Sequence, residues 1–111
     1  MWGERMGFFD FFRQPDIDQG VQTFHRTSGA VLLDVRTVDE YAEGHIPGSI
    51  NIPLDTVASV LERIPDKDTP LFVHCLSGGR SGKAVAFLKK LGYTQVKNIG
   101  GINLYNGPVE R

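Results

Sequence analysis

VHCLSGGRSGKAVAFLKKLG, Val73 to Gly92, is the stretch whose reading decides the fold. Leu71, Phe72 and Val73 form a β-prone run after Pro70. Ala84, Phe87, Leu88 and Leu91 then recur at i, i+3, i+4 and i+7, the spacing of one buried helix face. The only cysteine of the chain, Cys75, therefore stands between a strand and a helix. Gly92 suits the left-handed residue just past a helix end, and Lys89 and Lys90 put positive charge in the last turn, where the helix dipole favours it. The helix is expected to start near Ser81.

A loop that curls into a helix N-terminus turns successive backbone N–H groups toward one centre, and the unpaired donors of the first helical turn add to them. Such a cradle suits an anion. Gly78 and Gly79 supply the backbone freedom, Ser77 and Ser81 supply hydroxyls, and Arg80 adds a planar, permanently charged donor fork. Either the thiolate of Cys75 or an anionic substrate would be stabilised there. Helix N-termini and nearby cations lower a thiol pKa from its free value of about 8.5, which makes the nucleophilic form available near neutral pH. The competing reading is a buried structural cysteine.

Outward from this centre, the chain alternates strands and helices. Asp18 is placed to cap a short helix with Val21 and Phe24 inward, ended by Ser28 and Gly29. Ala30 to Val35 reads as a buried strand. Thr37 and Glu40 form a capping box for a helix that shows Val38, Tyr41 and Ala42 to the core and stops at Gly44. Ile46 to Ile52 gives a turn and a short strand. Asp55 caps a helix with Val57, Val60, Leu61 and Ile64 inward, ended by Pro65. Val96 to Ile99 is a last strand, and Gly100 and Gly101 start a tight return. This order implies βαβ units: an α/β fold with a small, doubly wound, mainly parallel sheet and helices on both faces. Sites in such sheets form at the carboxyl ends of strands, where Asp34, Arg36, Cys75 and Gly100 all fall.

Composition narrows the function classes. The chain has 111 residues and a formal net charge of −1, which suits one ordinary domain and gives no electrostatic reason to expect nucleic acid. A lone cysteine makes no internal disulfide and no CxxC metal pair, consistent with a reducing compartment, so a cytoplasmic location and no metal or other cofactor are expected. No apolar run approaches the length of a membrane span. Residues 1–14 are set apart as an apolar segment carrying Phe8, Phe9, Phe11 and Phe12, docked on the domain or binding a partner, with 15–111 as a single domain. Met1 and Met6 are both candidate starts.

Among the remaining polar residues, Arg36 lies within reach of a salt bridge to Glu40 four residues on, and Asp34 and Arg36 read as a pair that organises loops. His45, between a helix-ending glycine and Ile46-Pro47-Gly48, reads as holding the turn. His74 adjoins Cys75 but points to the opposite sheet face, against a Cys-His dyad. His25 is expected to face solvent. Arg80 either contacts substrate or clamps the loop. Tyr105 and Asn106 are placed at the border of the pocket, with core packing the better reading of Tyr105.

Three blocks resemble the single-domain rhodanese-like sulfurtransferases: LLDVRTVDEYAEGHIPGSINIPL from Leu32 to Leu54, VHCLSGGRS from Val73 to Ser81, and NIGGINLYNG from Asn98 to Gly107. Tyr105 stands where that family often has tryptophan. The resemblance implies a rhodanese-like fold and a transferase that moves sulfane sulfur from thiosulfate or a persulfide donor to cyanide or a thiol through a Cys75 persulfide. Leu76, Ser77, Gly78, Gly79, Arg80 and Ser81 would form the cradle, and Asp34, Arg36, Glu40 and His45 are candidate supporting residues. The expected partners are the small sulfur donor, the acceptor and a sulfur-relay protein, with no nucleic acid. One alternative is a sulfur-carrier or interaction module that does not turn over. Another is a cysteine phosphatase or arsenate reductase, but those phosphatases place five residues between cysteine and arginine, and here only Leu76, Ser77, Gly78 and Gly79 intervene.

Overall fold

The computed structural model describes residues 15–111. The expectations placed on 1–14, including the role of Phe8 to Phe12, lie outside the described residues. The sheet is built from β1 (Val31–Asp34), β2 (Ser49–Asn51), β3 (Leu71–Cys75) and β4 (Val96–Gly101). Its order is β2-β1-β3-β4 and every pairing is parallel. Helix α1 (Ile17–Arg26) precedes β1, and the parallel strands are joined by crossovers that carry α2 (Val38–Glu43), α3 (Val60–Arg63, preceded by a 3-10 segment Leu54–Ser59) and α4 (Gly79–Lys90).

Strand pleating sorts the core into two layers. Leu33, Val35, Leu71, Val73 and Cys75 pack with Val57, Val60, Ile64, Ala84, Leu88 and Tyr93 on one face. Leu32, Phe72 and Ile99 pack with Ile17, Val21 and Ile46 on the other. Adjacent strand residues thus go to opposite layers, and β3, buried along its whole length, ends on the thiol.

Several local expectations change. The cap of α1 is Asp16, which accepts from Gln19 N–H; Asp18 lies inside the first turn. Thr37 and Glu40 do form the capping box of α2, but the helix is too short and peripheral to bury a face: Val38 is 64 % exposed, Ala42 is exposed and Tyr41 is half-buried. The 55–64 segment is not one helix capped by Asp55. It starts after Pro53 as a 3-10 turn, kinks at Thr56 and turns α-helical only at Val60, which leaves Leu61 exposed. The i, i+3, i+4, i+7 face of α4 is narrower than expected, with Ala84 and Leu88 buried, Leu91 half-buried and Phe87 exposed. Gly100 and Gly101 continue β4 opposite His74 and Cys75, and the return begins at Ile102.

Candidate active site

The loop after β3 closes on itself around a sulfur atom. Helix α4 starts at Gly79, two residues before the position expected from sequence, because Gly78 takes a left-handed φ of 104° at its N-cap. That conformation favours glycine, and it turns the chain sharply enough for Gly78 N–H to donate to Cys75 Sγ at 3.0 Å. Ser81 Oγ lies 3.4 Å from the same sulfur. Cys75 is a free thiol with only 1 % of its surface exposed. Burial works against its ionisation, yet the Ser81 hydroxyl and the N–H groups of Ser81, Gly78 and Ser77 outweigh it and hold the pKa below that of an ordinary thiol.

Arg80 does not reach into this ring as a free cation. Its fork is bidentate to Glu40, with Nη1 to Oε1 at 2.7 Å and Nη2 to Oε2 at 3.1 Å. Glu40 Oε1 also accepts from Thr37 N–H, so the capping box of α2 and the cysteine loop share one carboxylate. Arg80 above all, then the Thr37 N–H, hold the Glu40 pKa down to about 2. The expected Arg36–Glu40 bridge is absent, because Arg36 turns to buried Asp34, with Nη2 to Oδ2 at 2.7 Å and Nε to both carboxylate oxygens at 3.0 Å. Its Nη2 also donates to Gly44 carbonyl oxygen. An acid at zero exposure needs its counter-charge close by.

His74 lies on the face opposite Cys75, buried, with Nε2 3.9 Å from Asp34 Oδ2. Burial lowers its pKa. His45 holds its turn: Nδ1 donates to Tyr41 carbonyl oxygen at 2.9 Å, the ring stacks on Tyr41, and its backbone pairs with Glu110. His25 is exposed. Tyr105 and Asn106 do not border the cysteine ring. They line a separate open groove of about 420 Å³ with Val21, Ile46 and Pro47, where Asn106 donates twice to the Asp18 carboxylate. Tyr105 packs against the Ile17–Ile99 core layer.

A ring of backbone donors around a strand-end cysteine can stabilise an anion on or next to its sulfur without a side-chain base. Among known proteins, residues 19–107 match the model of the family described as Rhodanese-like domain. The chain belongs to that family. It is 41 % identical over 71 residues to the thiosulfate sulfurtransferase PspE of Escherichia coli, covering 63 % of this chain and 68 % of PspE. It is 38 % identical over 81 residues to the thiosulfate sulfurtransferase GlpE of Pseudomonas entomophila, covering 72 % and 73 % of the two chains. A solved rhodanese with anions from E. coli superposes with a TM-score of 0.69 at 36 % identity, over 74 % of this chain and 98 % of that one. The protein is thus a rhodanese-type transferase.

Two residues of this rhodanese-like domain that sequence reasoning passed over hold the site together. Asn51 Nδ2 donates to the carbonyl oxygens of Asp34 and Arg36, fixing the end of β1. Asn98, on β4, donates through Nδ2 to Gly78 carbonyl oxygen at 3.2 Å and accepts at Oδ1 from Ser81 Oγ at 2.8 Å and from Gly100 N–H at 3.0 Å. Both stand inside the blocks that carry the family resemblance. An asparagine inside the predicted strand Val96 to Ile99 was the signal available for Asn98. Among the described residues, no helix is long and apolar enough to cross a membrane.

Proposed function

We propose that this domain transfers sulfane sulfur through a Cys75 persulfide. The Cys75 thiolate attacks the outer sulfur of thiosulfate or of a persulfide donor. A bond forms between Sγ and that sulfur as the sulfur–sulfur bond of the donor breaks, and its electron pair leaves with sulfite or with the donor thiolate. The transferred sulfur then carries the negative charge into the ring, where N–H groups between Leu76 and Ser81 act on it as an oxyanion hole acts on oxygen. A thiol or cyanide attacks this terminal sulfur in turn and releases Cys75 as the thiolate. No second cysteine exists in the chain, so the acceptor comes from outside. A single thiol that must stay reduced suits a reducing compartment such as the cytoplasm.

The observation that carries this reading is the Gly78 N–H at 3.0 Å from a buried Sγ in a six-residue ring from Cys75 to Arg80. With Arg80 committed to Glu40, that ring holds only neutral donors, which suits a soft monoanion such as a persulfide better than a doubly charged phosphoryl group.

The test is intact mass before and after thiosulfate, then after cyanide, beside Cys75→Ser. One added sulfur atom, removed by cyanide with thiocyanate release and absent in Cys75→Ser, is the expected result. Gain from a persulfide donor but not from thiosulfate would mark a sulfur carrier. No gain from either, with turnover of an aryl phosphate, would refute the proposal.

A further inference from the structure

The Ser81 hydroxyl carries one proton and faces three acceptors. Asn98 Oδ1 lies at 2.8 Å, Gly78 carbonyl oxygen at 3.1 Å and Cys75 Sγ at 3.4 Å. It cannot serve them all. The orientation of the Asn98 amide follows from Gly100 N–H, which must meet an acceptor at 3.0 Å and so leaves Nδ2 to donate to Gly78 carbonyl oxygen at 3.2 Å, beside the Gly82 N–H that this carbonyl already accepts. Oδ1 therefore faces Ser81, and at the shortest of the three separations it competes directly with the sulfur for the proton.

Asn98 owes this position to an irregularity in the sheet. Val73 pairs with Asn98 but His74 pairs with Gly100, so the register slips between them and β4 carries one extra residue beside the cysteine. Bulges re-aim side chains next to active sites. Here the bulge lets Asn98 satisfy the backbone of its own strand and that of the cysteine loop together, while Ile99 drops into the opposite core layer.

We propose that Asn98 is a positioning residue for the transfer step, which acts through Ser81 by taking its proton from the Cys75 sulfur. The inference rests on Cys75 being the nucleophile proposed above. With the thiolate free, the hydroxyl swings part of its donation to Sγ. Once sulfur has been loaded and the charge has moved to the terminal atom, the proton returns to Asn98 Oδ1. A thiolate that must share its donor is less stabilised, and so more basic and intrinsically more nucleophilic, than one that holds it alone.

The test is the pH profile of Cys75 alkylation by iodoacetamide, which reads the thiolate whether or not sulfur is ever transferred. Replacing Asn98 by alanine, or by leucine of closer volume should alanine not fold, hands the Ser81 proton to the sulfur. The midpoint should move to lower pH, with about fivefold more thiolate at pH 6, the equilibrium change one hydrogen bond supports, and alkylation there should rise about two- to threefold because the less basic thiolate is also less nucleophilic. In a Ser81→Ala background the same substitution should leave the midpoint unmoved and give no rise in rate. A folded Asn98 variant that alkylates more slowly, or with an unmoved midpoint, overturns the proposal, since loosening of the loop alone acts in that direction. So does a rise that persists without Ser81. Failure of wild-type protein to take sulfur in the mass assay would refute the transfer reading while leaving this profile decisive for Asn98.

Discussion

Replacing Gly101 by alanine should disable the site more than it destabilises the fold. Gly101 has an ordinary extended φ of −125°, so its need for glycine is one of space. A Cβ there would stand 2.5 Å from Ser77 Cα, 2.6 Å from Asn103 Oδ1 and closer still to Leu76 carbonyl oxygen. Two of these neighbours are backbone and cannot swing aside. Carbon atoms rest at about 3.5 Å or more, so β4 and the cysteine loop would have to part by about 1 Å. That shift pulls on the Asn103 N–H to Leu76 carbonyl bond of 3.0 Å, which ties the loop to the chain beyond β4. Overpacking of this kind costs about 1–3 kcal/mol, or roughly 4–8 °C of melting temperature for each kcal/mol in a domain of this size. The catalytic consequence is larger, because about 1 Å of misplacement can lower a rate on the order of 100-fold. The assay is thiosulfate:cyanide kcat/KM alongside urea unfolding. Gly29→Ala is the control: its φ of 75° strains any side chain, nothing lies within 4 Å, and it sits at the far end of β1. It should cost about 1 kcal/mol and leave kcat/KM unchanged. A Gly101→Ala protein that melts lower but keeps its kcat/KM within twofold would show that close approach to β4 does not place the loop.

Glu40→Gln keeps an acceptor for Thr37 N–H but loses the charge paired with Arg80. Because the folded-state pKa lies below the unfolded value of 4.5, the carboxylate stabilises fully above that value and less as pH falls toward about 2. With both side chains about a third exposed, solvent screening leaves about 1 kcal/mol at pH 7; unfolding curves should show the gap to wild type closing toward pH 2, and a constant gap from pH 7 to pH 3 would count against the pair. Arg36→Ala should cost about 3–5 kcal/mol by leaving Asp34 buried without its partner, whereas Arg80→Ala should cost about 1 kcal/mol; equal losses by urea unfolding would contradict this assignment. His74 is kept neutral by burial, so its folded pKa lies below its unfolded 6.5. Above 6.5 both states are neutral, and below it the unfolded chain takes a proton that the folded one resists, so stability decreases as the pH is lowered, by up to about 1.4 kcal/mol per unit. His74→Gln should flatten that slope between pH 6.5 and 5, and an unchanged slope would assign it to other groups.

The parts of the site that were readable in the chain are those set by local periodicity. Cys75 ends a buried run whose pleat separates it from His74, and the glycines after it precede a helix of 3.6-residue period, so the cysteine, the loop and the helix could be placed from spacing alone. What escaped is whatever depends on competition between distant partners. Arg36 and Glu40 are four residues apart and look like a pair, but buried Asp34 draws Arg36 away, and Glu40 then meets Arg80 from 40 residues further along. The helix faces misread at Val38, Leu61 and Phe87 have a similar cause, since periodicity gives the direction of a face and not whether a neighbour covers it. Asn98 depends on a register slip that no residue type announces.

These non-local ties explain why a ring of neutral donors can keep its shape around Cys75 Sγ. Glu40 holds it from the helix after β1, Asn98 from within β4, and Gly101 by admitting the loop against the end of that strand. In the proposed transfer, backbone donors aimed at a developing anion assist only if they need not reorganise as the charge moves from Sγ to the outer sulfur. A peptide carrying the same six-residue ring, without those three contacts, would have to order its N–H groups during each transfer. The cysteine loop thus supplies the chemical groups, and the strand ends on either side of β3 supply the rigidity that makes them useful.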